Sequence, residues 1–171
     1  MQERVKAKAI ELLESGACGR VLGWKAGEFF YDVTPAVFTS REEIEREFVY
    51  GPFCGANLSK YLIAGSRKDG RAAAFLKPCD TYSFQQLQKE HRILRENVYA
   101  VGVQCAGMCD IEAVKAAGMK GILGAEDQGE ALLLRTADAM SVAWAELCRR
   151  EPELAPLFRR LSTQLKQDLK C

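Results

Sequence analysis

The sequence is poor in the features that most directly betray a function. No apolar run approaches the roughly 20 residues that a membrane-crossing helix needs. The opening stretch, MQERVKAKAIELLESG, is charged throughout, unlike a secretory leader. Charge of one sign is missing too: 24 Lys and Arg face 23 Asp and Glu, a formal net charge of +1. Bulk electrostatics therefore makes no case for nucleic acid or an anionic membrane as partner. Neither a Gly-x-Gly-x-x-Gly nor a P-loop marks a nucleotide site, there is one histidine, and no two cysteines are spaced C-x2-C. No internal repeat or low-complexity tract interrupts the chain. A single cytosolic domain, or one domain with an appendage, is the expectation for 171 residues of ordinary apolar content.

What the sequence has in excess is cysteine, seven in all. A reducing cytosol disfavours structural disulfides, and an odd number cannot all pair within one chain. The count points to thiolates that bind metal or carry redox chemistry.

Periodicity gives a coarse map. Val5, Ala9, Leu12 and Leu13 form a helical stripe that Gly16 ends. RVLGW and TPAVFT read as short strands, with room for another in KAGEFFYDV between them. Ser40 and Glu43 make a capping box for a helix through about Phe48, with Ile44 and Phe48 inside. YGPFCGANL breaks the pattern around Cys54, and a short helix on Leu58, Tyr61 and Leu62 follows, ending near Gly65. The centre is clearest: strand 72–76, a helix over 83–95 capped by Ser83 and Gln86, and strand 98–103. Short connections between them imply parallel neighbours and a right-handed crossover. Asp110 caps a further helix bearing Ile111, Val114 and Ala117. Residues 120–146 suggest two or three antiparallel strands, and a charged helix follows from Pro152. The predicted fold is α/β: a small, mostly parallel sheet with flanking helices, plus a short antiparallel β segment near the C-terminus.

This topology has a chemical consequence. Cys79 follows the first parallel strand and Cys105 the second, so both fall at the carboxyl edge of the sheet, where ligands of open α/β sheets gather. Cys109 precedes the helix capped by Asp110, and Cys54 lies in a glycine-rich loop before a helix. Glycines beside ligating cysteines let the backbone approach and hydrogen-bond sulfur. Four such cysteines, Cys54, Cys79, Cys105 and Cys109, satisfy an iron–sulfur cluster or an all-cysteine zinc site. Their spacing is not diagnostic, and the radical-SAM pattern fails because Glu112 stands where its third cysteine belongs. Inert buried thiols and a redox-active Cys105–Cys109 pair stay open as alternatives. Lys77 and Asp80 flank Pro78–Cys79 and are read as contacts to a cofactor phosphate, as ties that fix the loop, or as solvated charges. His91 falls on the inner stripe of its predicted helix, a place for a partly buried, hydrogen-bonded side chain. Trp24 and Trp144 read as packing residues, Cys18 as a small filler, and Cys148 and Cys171 as idle.

LKPCD, a helix, then RENVYAVGVQCAGMCD resembles the amino-terminal domain of the beta-subunit family of coenzyme F420 hydrogenases and dehydrogenases. The likeness is greatest to its iron–sulfur electron-transfer branch, associated with formate dehydrogenase, hydrogenase and heterodisulfide reductase. It covers about 70–110 strongly, and over 1–65 the order of elements agrees. Cys79 and Cys105 lie on the family's motif positions; Cys54 and Cys109 join them on geometry. The resemblance implies a cytosolic electron-transfer subunit carrying a [4Fe–4S] cluster on these four cysteines, with FAD as a further cofactor, and other subunits of a redox complex as partners. It implies neither nucleic-acid binding nor membrane insertion. Two alternatives stand beside it: a flavin-binding reductase module acting on a soluble deazaflavin-type acceptor, and a non-redox scaffold with a structural zinc. Longer relatives carry a ferredoxin-like module that is not in this sequence. Residues 1–147 are thus expected to form the α/β domain. Residues 148–171 are expected to form a helical extension, either a natural ending or a lead-in to such a module.

Overall fold

The computed structural model describes residues 1–105, 107–116, 122–127, 131–136, 140–143 and 148–149. The chain opens with α1 (Gln2–Glu14), whose Val5, Ala9 and Leu12 are buried, and turns at Gly16, where a φ of 69° suits a residue without Cβ. A hairpin of β1 (Arg20–Ala26) and β2 (Val33–Phe38) follows. Pro35 is tolerated because β2 is the end strand of the sheet order. The predicted extra strand between them does not form. Residues 27–32 are a turn, closed by Gly27 N–H donating to the Asp32 carbonyl at 2.5 Å, and this tight reversal leaves no ladder partner for a third strand.

Ser40 and Glu43 form the predicted capping box of α2 (Arg41–Glu47). The helix stops one residue early, because Phe48 turns extended to begin β3 (Phe48–Val49). Leu58 and Leu62 anchor a 3-10 turn at Ser59–Tyr61 and the short α3 (Leu62–Gly65).

β4 (Ala72–Leu76) and β5 (Val98–Gly102) are adjacent and parallel, paired from Ala72↔Val98 to Leu76↔Gly102. All five residues of β4 are buried, as a strand covered on both faces requires. β1 is parallel to β4 over Arg20–Leu22 and takes β3 antiparallel over Trp24–Lys25, giving the sheet order β2-β1-β4-β5. β2 already pairs with β1 throughout, so β3 enters on the β4 side, at the carboxyl end of the parallel strands. α1 and α2 pack on each other and on β1–β3, while α3 and α4 (Pro78–Lys89) pack on β4. The core they enclose is built around Trp24, Phe38, Ile44, Phe48, Phe75 and Phe84. Gly23 is needed where β1 passes Phe48, since a Cβ there would run into the aromatic ring.

The crossover helix differs from expectation at both ends. It begins at Pro78, not Ser83: proline at the first helical position and Asp80 two residues on are themselves a start signal, and a stronger one than Ser83–Gln86. It ends at Lys89, and His91 follows with a φ of 55°. His91 is therefore exposed in the turn and not on an inner stripe; Phe84 and Leu87 keep that role while Leu94 lies outside it.

Beyond β5 come β6 (Met108–Cys109) and α5 (Ile111–Ala116), with Glu112 N–H donating to Asp110 Oδ1 at 2.9 Å as predicted for a capping aspartate. β7 (Ile122–Asp127), β8 (Ala131–Thr136) and β9 (Met140–Ala143) form an antiparallel sheet. β10 (Cys148–Arg149) pairs with β6. The fold is α/β with a mostly parallel sheet, flanking helices and this small antiparallel sheet near the C-terminal end. The predicted helix from Pro152, and Ala117, Gly118, Trp144 and Cys171, lie outside the described residues. No helix among the described residues is long and apolar enough to cross a membrane.

Candidate functional site

The carboxyl ends of β4 and β5 lie side by side. Leu76 pairs with Gly102, Val103 N–H donates to the Leu76 carbonyl at 2.9 Å, and each strand places a cysteine, Cys79 or Cys105, on the third residue beyond that pair. β3 delivers the loop 50–58 to the same edge. Cys79 occupies the second position of α4, whose unpaired N–H groups and dipole favour a thiolate. The sequence points to such a helix start at Cys109, and Pro78 signals one for Cys79 as well.

Cys54 is buried, 1% exposed, and its Sγ accepts a hydrogen bond from Gly51 N–H at 3.3 Å. Cys79 is exposed, and Cys105 and Cys109 are half-buried. Burial pushes the Cys54 thiol up to about 11, against the pull of the Gly51 N–H and the Lys77 ammonium; Cys105 adds to the rise. Burial also raises Cys79, helped by the Asp80 carboxylate and Cys105 and opposed by Lys77. Cys54, Cys79 and Cys105 thus share one electrostatic neighbourhood. Cys109 is tied to it through the backbone, its N–H donating to the Pro52 carbonyl at 2.7 Å, two residues from Cys54. Cys148, read as idle, stands opposite Cys109 in the β6–β10 register. Cys18 lies apart from this group, buried in the core. Among the described residues no three His, Cys, Asp or Glu are grouped as a single metal ion would require.

The floor of the site is polar and closed. Lys77 and Asp80 are fully buried and pair at 3.0 Å, so neither presents its charge to solvent. Lys77 Nζ also donates to the Ala56 carbonyl at 2.9 Å and stands 4.5 Å from the centre of the Trp24 ring. Asp80 accepts from the Lys77 backbone N–H at 3.1 Å and from that of Leu58. Burial pushes the Asp80 carboxyl up, and the Lys77 ammonium holds against it. Asn57 Nδ2 donates to Ser83 Oγ at 2.9 Å, a second tie between the Cys54 loop and α4.

Two floor residues were missed from sequence. Trp24 is packed in the core, as read, but its face also receives the Lys77 ammonium. Tyr50 stacks at a tilt 5.4 Å from Trp24 and donates its hydroxyl to the Gln104 carbonyl at 2.8 Å, fixing the residue before Cys105. Its own ionisation is pushed far up, by burial first and then by Cys105, Cys54, Asp80 and Cys79. Its place after the FV strand was the available signal. An aromatic series leads away from Cys54: Phe53 meets Phe30 edge-on at 5.2 Å, Phe30 meets Tyr31, and Tyr31 stacks on the exposed Phe29.

No protein-family model matches the sequence. The chain is 33% identical over 96 residues to the F420-dependent formate dehydrogenase subunit beta of Methanocaldococcus jannaschii, which covers 56% of this chain and 25% of that protein. It is 31% identical, also over 96 residues, to the F420-dependent formate dehydrogenase 1 subunit beta of Methanococcus maripaludis, with 56% and 24% covered. The chain thus spans about a quarter of the length of these curated relatives. Its fold is similar to that of a chain in the F420-reducing [NiFe] hydrogenase complex from Methanosarcina barkeri, with a TM-score of 0.67 at 15% identity, covering 82% of this chain and 53% of that one. The resemblance to F420 hydrogenase and dehydrogenase beta subunits is borne out by these likenesses.

Proposed function

We propose that this chain is a cytosolic electron-transfer subunit of an oxidoreductase complex, holding one [4Fe–4S] cluster on Cys54, Cys79, Cys105 and Cys109. The observation that carries the reading is that parallel β4 and β5 end side by side, each with a cysteine three residues on, while the Cys54 loop is tied to Lys77 and α4 at the same edge. The donor set suits the group: thiols of graded exposure, an N–H directed at sulfur from Gly51, and a buried ammonium behind them. Ligand sulfurs of a cubane stand about 6–7 Å apart, farther than those around one zinc ion, so the cluster does not call for the tighter grouping that zinc does.

When bound, the cluster supplies reversible one-electron transfer. The chain's own residues do the rest. α4 presents Cys79 at the surface, where it would be the most solvent-accessible ligand, while Cys54 would hold the group from the buried side. Tyr50 holds the Gln104–Cys105 turn, and the Cys109 N–H joins its segment to the Cys54 loop. Lys77 and Asp80, read as cofactor-phosphate contacts, loop ties or solvated charges, act here as loop ties that support the site from below. The partners are other subunits of the complex, in keeping with the relatives' description as subunits.

A flavin such as FAD is the second reading, either beside the cluster or in its place. The aromatic series from Phe53 to the exposed Phe29 favours it, because stacked rings suit a planar ring system.

Serine substitution separates ligands from bystanders. In protein reconstituted anaerobically with iron and sulfide, Cys79→Ser and Cys105→Ser should each lose most of the bound iron, while Cys18→Ser retains it. Equal iron in all of them would overturn the ligand assignment.

A further inference from the structure

A buried ion pair is a weak source of stability, since removing two charges from water costs about what their attraction returns. Lys77 and Asp80 are nonetheless fully buried, and each is saturated with partners: the ammonium with Asp80 Oδ2, the Ala56 carbonyl and the Trp24 face, the carboxylate with the backbone N–H groups of Lys77 and Leu58. They also point their charges unequally. Lys77 reaches across to the carbonyl two residues beyond Cys54, whereas Asp80 Oδ1 lies 4.0 Å from Cys79 Sγ.

We propose that Lys77 and Asp80 are positioning residues that act in opposite senses on the electron affinity of the cysteine site, Lys77 raising it and Asp80 lowering it, while Lys77 clamps the Cys54 loop to α4. The proposal rests on the cluster reading above. Reduction adds one electron to the bound cluster and makes or breaks no bond to either residue; in the cell the electron comes from the redox centre of a partner subunit. The added negative charge is stabilised by an ammonium and destabilised by a carboxylate, and both effects are strong where water is excluded. The clamp is separate from the charge, because the Ala56 carbonyl is held by Nζ whether or not a cluster is present.

The test uses the full chain with Lys77→Gln and Asp80→Asn, and Lys25→Gln as control, since the Lys25 ammonium is half exposed and pairs with Glu47. In reconstituted protein titrated with dithionite and followed by electron paramagnetic resonance, K77Q should shift the midpoint potential negative and D80N positive, with K25Q unmoved. A residue of purely structural importance would shift both variants the same way or neither. In metal-free protein, amide hydrogen exchange across 51–58 should be at least tenfold faster in K77Q and unchanged in K25Q. Unchanged exchange in K77Q overturns the clamp, and unshifted or like-signed potentials overturn the electrostatic role. If K77Q loses its iron, D80N decides the charge effect alone. A wild-type chain that binds no iron overturns the cluster reading and the electrostatic proposal together, whereas an iron-loaded wild type with unmoved variants overturns this proposal alone.

Discussion

Tyr50 links the two halves of the site through one hydroxyl. It donates to the Gln104 carbonyl from a ring packed against Trp24, so the turn that carries Cys105 inherits its position from the core. Tyr50→Phe should keep the packing and lose the bond, leaving the carbonyl without that donor. We expect a loss of about 1–2 kcal/mol of stability in metal-free protein, read from urea unfolding. A change within 0.3 kcal/mol, roughly the scatter of distant, independent sites, would mean that the hydroxyl does not position the turn. The residue scale also marks where sequence reading stops. The place of Cys79 and Cys105 at the sheet edge was legible because each closely follows one of two adjacent parallel strands. Lys77 and Asp80 were visible as flanking charges, but burial belongs to the assembled fold, and a KPCD string reads equally well as solvated. Tyr50 carried only its position after a strand, which many packing residues share.

Elements were most legible where local chemistry and tertiary packing agree. Strands 72–76 and 98–103 were bounded closely, the second ending one residue early at Gly102, since short apolar runs between turns allow little else. The α2 capping box was read directly, and it carries a pH signature. Hydrogen bonds from the backbone and hydroxyl of Thr39 and from Ser40 N–H hold the Glu43 carboxyl below its ordinary value of 4.5. A carboxylate whose folded value is depressed contributes stability above its unfolded value, and that contribution is lost as pH falls through the folded one. Wild-type protein should therefore lose stability relative to Glu43→Gln between pH 6 and pH 3.5, tracked by urea midpoints at both ends. Parallel behaviour of the two proteins would remove Glu43 from the cap's acid sensitivity. Elements were misread where two local signals compete: Ser83–Gln86 and Pro78–Asp80 both mark helix starts, and only packing of the first turn against the Cys54 loop selects the latter. The KAGEFFYDV stretch has strand-like aromatics, yet they are used to line a turn and stack on one another.

At the scale of the whole molecule, the proposed function rests on one topological fact. Parallel β4 and β5 end together, β3 brings a third chain segment to that end, and each delivers a cysteine to the same edge. β10, at the start of the stretch expected as an extension, pairs with β6 beside Cys109. The most direct measurement is the visible absorption spectrum, with iron and sulfide content, of the chain purified or reconstituted without oxygen. A cluster on these cysteines predicts a broad brown shoulder, bleached by dithionite, with iron and acid-labile sulfide in equal amounts of about four per chain. Two resolved yellow bands without iron would assign the edge to flavin, and a colourless protein would contradict the account.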